Sequence, residues 1–280
     1  MLKRRWFLAV LLAVVALAAY WGLDRYRYRF VRSDLDLLHW LPANNRTLFY
    51  ADVKALRGAG YLKLLASAKP AADYAAFIQA TGFDYTRDLD ALAAVIDDER
   101  VWLVARGRFD WSKIRAFAAN AHAVRLREIQ PDVLALSNAA VEQIQPSTNA
   151  LAAPSVAPVW LQPTKAVLAN PAALPLPVRI FAISLQSAES IVLALEPAKS
   201  SKDAFLLSMN AEFHNAVSAK TARDQLVRST AMLTSELARE HQQPSPRDFT
   251  GLLAAGTFEV SGMQLRALWP VRRELVQSLQ

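Results

Sequence analysis

Phe205-Leu206-Leu207-Ser208-Met209-Asn210-Ala211-Glu212-Phe213 decides how the body of this chain is read. Phe205, Leu207, Met209, Ala211 and Phe213 alternate with Leu206, Ser208, Asn210, Glu212 and His214. Successive strand side chains point to opposite faces, so a period of two over this length predicts a half-buried strand. Before it lies a polar turn, Ala198 to Asp203. Before that come two apolar runs, Val178–Leu185 and Ile191–Leu195, separated by Gln186 to Ser190. After it, Thr221 to Glu240 has helical spacing. Thr221 stands as the cap, Asp224 follows three residues on, and Leu226, Leu233 and Leu237 form an apolar stripe. Pro244 and Pro246 stop that helix. Thr257–Val260 and Met263–Trp269 read as a hairpin across Ser261-Gly262, and Pro270–Leu279 as a closing helix with proline at its first position.

The region nearer the amino terminus carries the same kinds of signal. Leu35–Trp40 is a short apolar connector, and Thr47–Val53 is a strand after a Pro-Ala-Asn-Asn turn. Lys54–Ala66 is helical in spacing, interrupted by Gly58 and Gly60, and Ala71–Ala80 is a second helix stopped by Gly82. Leu92–Asp97 and Arg100–Phe109 form a hairpin with Asp97-Asp98-Glu99 at its tip. Trp111–Ala121 follows as a helix with Ile114, Phe117 and Ala118 on one face. Val124–Ile129 and Val133–Ser137 are two short strands around Gln130-Pro131-Asp132.

Between the two regions the composition changes. Pro146 to Pro177 holds seven of the fourteen prolines. Proline lacks the N–H that helix interiors and central strands need, so most of this segment is expected to be a connection, with a short strand at Val159–Leu161. The expected fold class is α+β: an N-terminal transmembrane helix followed by two related halves of mainly antiparallel sheet with packed helices. Residues 1–32 form the anchor and its flank, 33–145 the first half, 146–177 the proline-rich connection and 178–280 the second half. The internal repeat rests on element order, with the strand at Val101–Val104 corresponding to Leu206–Met209.

Leu41-Pro42-Ala43-Asn44-Asn45, the strand to Tyr50, Asp52-Val53 and the helix after them resemble the opening of a group of single-anchor bacterial envelope proteins. Thr81-Gly82, Asp84, Asp88 and Asp90, with Gly107 and Phe109 closing the hairpin, resemble their next block. The resemblance covers Leu41 to Ile114. It implies the architecture and an envelope location, and it brings no activity with it.

Trp6–Leu23 is eighteen uncharged residues. At ~1.5 Å per residue it spans roughly 27 Å, enough to cross a hydrocarbon core. Trp6 at one end, and Tyr20 and Trp21 at the other, suit the headgroup layers. Arg25, Tyr26, Arg27, Tyr28 and Arg29 continue as an alternating belt that can reach anionic headgroups. The alternative is a cleaved signal peptide, since Ala16-Leu17-Ala18 fits a small-x-small site. Against it, the apolar run continues past Ala18 and ends in the aromatic–arginine belt. Lys3, Arg4 and Arg5 precede the run and four arginines follow it, so the charge rule is nearly tied. A short basic tail before a first apolar helix still resembles a signal anchor. The expected location is the inner membrane, single-pass, with the body in the periplasm.

That belt also accounts for the basic balance. Residues 1–32 hold seven of the 32 basic residues and one of the 25 acids, which leaves the body close to neutral. A nucleic-acid partner needs a basic patch, and none is advertised. The chain has no cysteine, which removes disulfides, thiolate metal sites and cysteine nucleophiles.

Candidate chemistry is sparse. His39, His122, His214 and His241 lack metal-ligand spacing, and Glu240-His241 suits the cation-favouring end of a helix. Asp84, Asp88 and Asp90 lack the loop spacing of a calcium site and read as turn and cap residues. Gly-x-Ser-x-Gly and glycine-rich phosphate loops are missing, and Ser261-Gly262 lacks a flanking glycine. The stripe Leu226, Thr230, Leu233 and Leu237 fits core packing better than a docking face. No catalytic residue, cofactor or metal is therefore expected. The expected function is non-enzymatic binding or scaffolding of an envelope component, protein, lipid or glycan. The alternatives are an accessory single-helix subunit of a larger membrane complex and a membrane-tethered hydrolase with its site between the halves.

Overall fold

The computed structural model describes Val31 and residues 33–42, 46–62, 72–97, 100–120, 125–147, 151–169, 176–198, 203–239, 241 and 243–278. Ten strands form one sheet: β1 (Thr47–Asp52), β2 (Leu89–Asp97), β3 (Arg100–Gly107), β4 (Arg125–Gln130), β5 (Val133–Ser137), β6 (Val159–Gln162), β7 (Ala188–Pro197), β8 (Asp203–Phe213), β9 (Thr257–Ser261) and β10 (Gln264–Arg272). The order across the sheet is β4-β5-β3-β2-β1-β6-β7-β8-β10-β9, and every neighbouring pair is antiparallel. The helices are α1 (Val53–Gly58), α2 (Ala72–Thr81), α3 (Tyr85–Asp88), α4 (Trp111–Asn120), α5 (Lys165–Ala169), α6 (Leu176–Ser184), α7 (Ala216–Arg239), α8 (Phe249–Ala254) and α9 (Arg273–Ser278). The fold class is α+β, with a large antiparallel sheet and packed helices.

Read outward from the centre, one arm runs β1-β2-β3-β5-β4 and the other β6-β7-β8-β10-β9. A single cross-strand row links all ten strands. From Tyr50 it passes through Ala93, Val104 and Ala135 to Arg127. From Trp160, which pairs with Tyr50, it passes through Ala194, Ser208 and Leu268 to Thr257. The Tyr50 and Trp160 rings stack with centroids 5.5 Å apart.

The two faces of the sheet are covered differently. Odd-numbered residues of β8 and β10 (Met209, Ala211, Phe213, Leu265, Ala267, Trp269) bury against α6, α7 and α8 through Phe181, Ala219, Ala222, Leu226 and Leu253. Residues on that face nearer the centre meet α1 and α9 through Leu56 and Leu275. The opposite face, in the β1–β5 arm, is closed by a 3-10 helix (Asp34–Trp40) and the stretch around Val141 and Ile144. Leu37, Leu38, Trp40, Leu41, Val141 and Ile144 pack there onto Tyr50, Ala93, Trp102, Val104, Ala135 and Trp160.

Several expectations change at this level. Leu35–Trp40 is the buried 3-10 cover, not a connector. The apolar run from Val178, expected as a strand of a hairpin, is helical to Ser184 in α6 and ends in a turn at Leu185. Phe181 and Leu185, four apart, are buried while Ile183 between them is half exposed, which is helical geometry. The helix expected from Thr221 begins at Ala216, because the Asn215 side chain caps it by accepting from the Ser218 N–H at 2.8 Å; Thr221 is one turn inside. Pro270 lies in β10 and starts no helix. β9 pairs with β10 only as far as Leu268, so Pro270 needs no N–H on that side.

The strand expected at Val159–Leu161 is β6, at the centre of the sheet. Its four residues are bracketed by Pro158 and Pro163 and contain no proline. The Pro158 carbonyl accepts from the Asp52 N–H at 2.6 Å.

Candidate functional site

The membrane-interface candidates Trp6, Tyr20, Trp21, Arg25, Tyr26, Arg27, Tyr28 and Arg29 lie outside the described residues, as does His122. No helix among the described residues is long and apolar enough to cross a membrane. The chain just after that belt is tied down. Val31 is buried, its carbonyl accepts from Arg106 Nη2, and Arg106 Nη1 donates to Asp34 at 2.9 Å. Arg106 Nε lies 3.4 Å from Asp132.

The remaining sequence candidates are dispersed. His39 lies in the last turn of the 3-10 cover, His214 lies exposed 3.4 Å from Glu189, and His241 follows α7 with a positive φ of 55°. Asp84 caps α3, accepting from the Thr86 N–H at 2.8 Å and the Thr86 hydroxyl at 2.7 Å. Asp88 is buried and bridges to Arg87 at 2.6 Å and Arg108 at 3.1 Å. The hydrogen bond from Arg87 is the main reason its carboxyl is held below the usual range. Asp90 pairs with Arg57 at 3.2 Å. Each of the three carboxylates has its own cap or cation, and no group of three or more metal-ligating side chains forms among the described residues. Leu226 and Leu237 are buried and Leu233 packs against the same core, so the stripe faces inward. Tyr50, beneath the cover, has its hydroxyl pushed well above its ordinary pKa, chiefly by burial.

One concavity brings the two arms of the sheet together. It lies where β1 starts, β2 ends, β6 ends and β7 starts, with a volume of about 230 Å³. Leu48, Val95 and Leu151 form its apolar wall. Arg46, Gln162, Thr164, Lys165, Glu189 and Ser190 supply the polar groups. Arg46 is held from two sides: its guanidinium lies 4.3 Å over the Trp102 ring, and its Nε is 3.3 Å from Asp97. Asp97 also takes Arg100, so one carboxylate serves two cations. Arg46 Nη1 is buried and meets no acceptor among the described residues. Sequence reading missed this site because its polar residues, from Arg46 to Ser190, follow no spacing rule. Only the antiparallel β1–β6 pairing brings them to one place.

No protein-family model matches the chain, and no curated protein matches it. Among solved structures, crystal form I of TP0453 aligns at 11% identity with a TM-score of 0.45, over 87% of this chain and 96% of that one. Crystal form IV of TP0453 aligns at 9% identity and 0.44, over 86% and 95%.

Proposed function

We propose that the chain is a membrane-anchored binding or scaffolding protein, its body outside the cytoplasm and built from two copies of one strand–helix unit. The observation that carries the anchored reading is the uncharged run Trp6–Leu23 with its arginine–tyrosine belt, and the docking of Val31 and Asp34 on Arg106 fixes where the body begins after it. Only seven residues, 24–30, separate the apolar run from Val31, and the eight Cα–Cα steps from Leu23 reach at most ~28 Å when fully extended. A span through residues 6–23 would therefore keep Val31 within ~28 Å of the end of that span, with the arginine–tyrosine belt among anionic headgroups.

The matching strand orders of the two arms support the duplication. In that reading Tyr50 corresponds to Trp160, and the residues opposite them continue the match through Ala93 with Ala194 and Val104 with Ser208. This register moves the expected correspondence of Val101–Val104 by one residue, which in a strand changes the face. The binding reading rests on the cavity at the seam, whose lining joins an apolar wall to a few convergent polar groups. The acids whose protonation is shifted, Asp88, Asp110 and Asp248, sit in caps and ion pairs and do not line it.

Cell fractionation tests the anchored reading. In a bacterial host the full-length protein should resist alkaline carbonate extraction and be digested by protease added to spheroplasts. Release into the carbonate supernatant, or protection of the body in intact spheroplasts, would overturn it. A body-only version should begin no later than Phe30, because a cut at Ser33 removes the buried Val31.

A further inference from the structure

We infer that the seam cavity binds the anionic end of a small molecule, a carboxylate or a phosphate, on Arg46 and Lys165, with its carbon portion against Leu48, Val95 and Leu151. This deepens the binding reading above and does not depend on where the body resides. Three observations converge on it.

The first is the state of Arg46. A buried donor without a partner costs about 1–3 kcal/mol, and a small shift of the Arg46 side chain, which already lines the cavity, would let an anion there satisfy it. Among the described residues Nη1 is such a donor, while the ring of Trp102 and the carboxylate of Asp97 already hold the guanidinium in place. A planar guanidinium fixed in this way is prepared for oxyanion recognition before any ligand arrives.

The second is the local charge. The lining carries two cations, Arg46 and Lys165, and one acid, Glu189. Asp97 is shared by Arg46 and Arg100, and Glu189 lies beside His214. The balance is positive inside a body that is otherwise close to neutral. Neutral donors from Ser190, Thr164 and Gln162 stand on the same lining.

The third is size and shape. The volume of about 230 Å³ is below the roughly 300–1,000 Å³ of sites that enclose drug-sized ligands. It suits a charged group with a short carbon chain. The apolar wall lies on the Leu48 and Val95 side, so an amphiphilic occupant has one orientation.

The test uses the full-length protein in detergent, with inorganic phosphate and hexanoate as probes and sodium chloride at matched ionic strength as control. At least one probe should raise the melting temperature saturably where chloride does not. Arg46→Met should weaken that response about tenfold or more, the scale of one charge-assisted hydrogen bond. Lys165→Gln, at the exposed start of α5, should weaken it several-fold without changing the unliganded melting temperature. Phosphate acting alone would assign a phosphate-bearing ligand, and hexanoate alone a carboxylate. If Arg46→Met fails to fold, Lys165→Gln decides. A response no greater than that to chloride, or one undiminished in folded Lys165→Gln, would overturn the proposal. Either result leaves the fractionation test of the anchor unaffected.

Discussion

The face of the sheet away from the long helices is treated in opposite ways by its two arms. In the β1–β5 arm, Ala93, Val104 and Ala135 are fully buried under Leu37, Leu38, Trp40 and Ile144. In the β6–β10 arm the same row continues through Ala194 and Ser208 to a half-buried Leu268 and an exposed Thr257, and its flanks, Asn210, Glu212, Gln264 and Arg266, are exposed. Strand order is shared, and cover is not. A covered face needs small or apolar side chains that admit a second layer, whereas a bare antiparallel face needs polar ones. The difference lies in what the chain places over the sheet, not in how the strands pair.

Removing the residue that serves both arms tests whether they are independent. Trp160 is almost fully buried and stacks on Tyr50 where β1 meets β6. Trp160→Ala should cost about 3–5 kcal/mol, since the centre of the sheet is flanked on both sides and cannot collapse into the space. Denaturant unfolding followed by tryptophan fluorescence and by circular dichroism checks it. If the arms are one cooperative unit, both probes shift together. If only one arm loosens, the two transitions separate.

Exchanging residues along the row sharpens the comparison. Val104→Ser places a hydroxyl beneath the cover and removes buried methyl area, and should cost about 2–3 kcal/mol. Ser208→Val removes a long hydrogen bond to the Ala194 carbonyl, 3.4 Å, and adds apolar area at a buried position, so it should change stability by less than about 1 kcal/mol. Equal costs would mean that the two positions are not environmentally distinct. Arg106→Met tests the cover itself. Losing the ties to Val31, Asp34 and Asp132 should cost about 1–3 kcal/mol. It should also speed limited proteolysis around residues 31–41 far more than anywhere in the β6–β10 arm.

How much of this was legible depends on the range of the physics involved. The alternation at Phe205–Phe213 and the hairpins at Asp97 and Gly262 are local. They were readable because side-chain period and turn chemistry act within a few residues. Gly262, with φ of 60°, occupies the one hairpin position where a side chain would be strained. The central place of β6 was not legible. Four residues between two prolines look like an interrupted connection, and only pairing with β1 and β7 makes them the middle of a sheet. The cover over the first arm and the cavity at the seam failed for the same reason. Asp34 meets Arg106, and Arg46 shares a lining with Ser190, through contacts that no spacing rule encodes.

The smallest expected effect compares two acids, one from each arm. Asp88 is held below the ordinary carboxylate range mainly by the Arg87 hydrogen bond. Asp248, the cap of α8, is lowered mainly by the Thr250 hydroxyl at 2.6 Å, with the Gly251 N–H at 3.0 Å. A carboxyl whose folded pKa is depressed contributes stability above the ordinary value of ~3.9 and loses it as the pH falls through the lowered folded value. Asp88→Asn and Asp248→Ala should therefore each destabilise by about 1 kcal/mol at pH 7, and each gap should close as the pH is lowered below 4. Salt separates them. The partners of Asp88 are exposed guanidinium groups, so its gap should narrow as ionic strength rises, while the gap at Asp248, whose partners are neutral, should hold. Denaturant unfolding of both variants at low and high salt reads the difference directly. Identical salt responses would show that the cations beside Asp88 add nothing to what the hydrogen bond from the Asp84 N–H, 3.1 Å, already supplies.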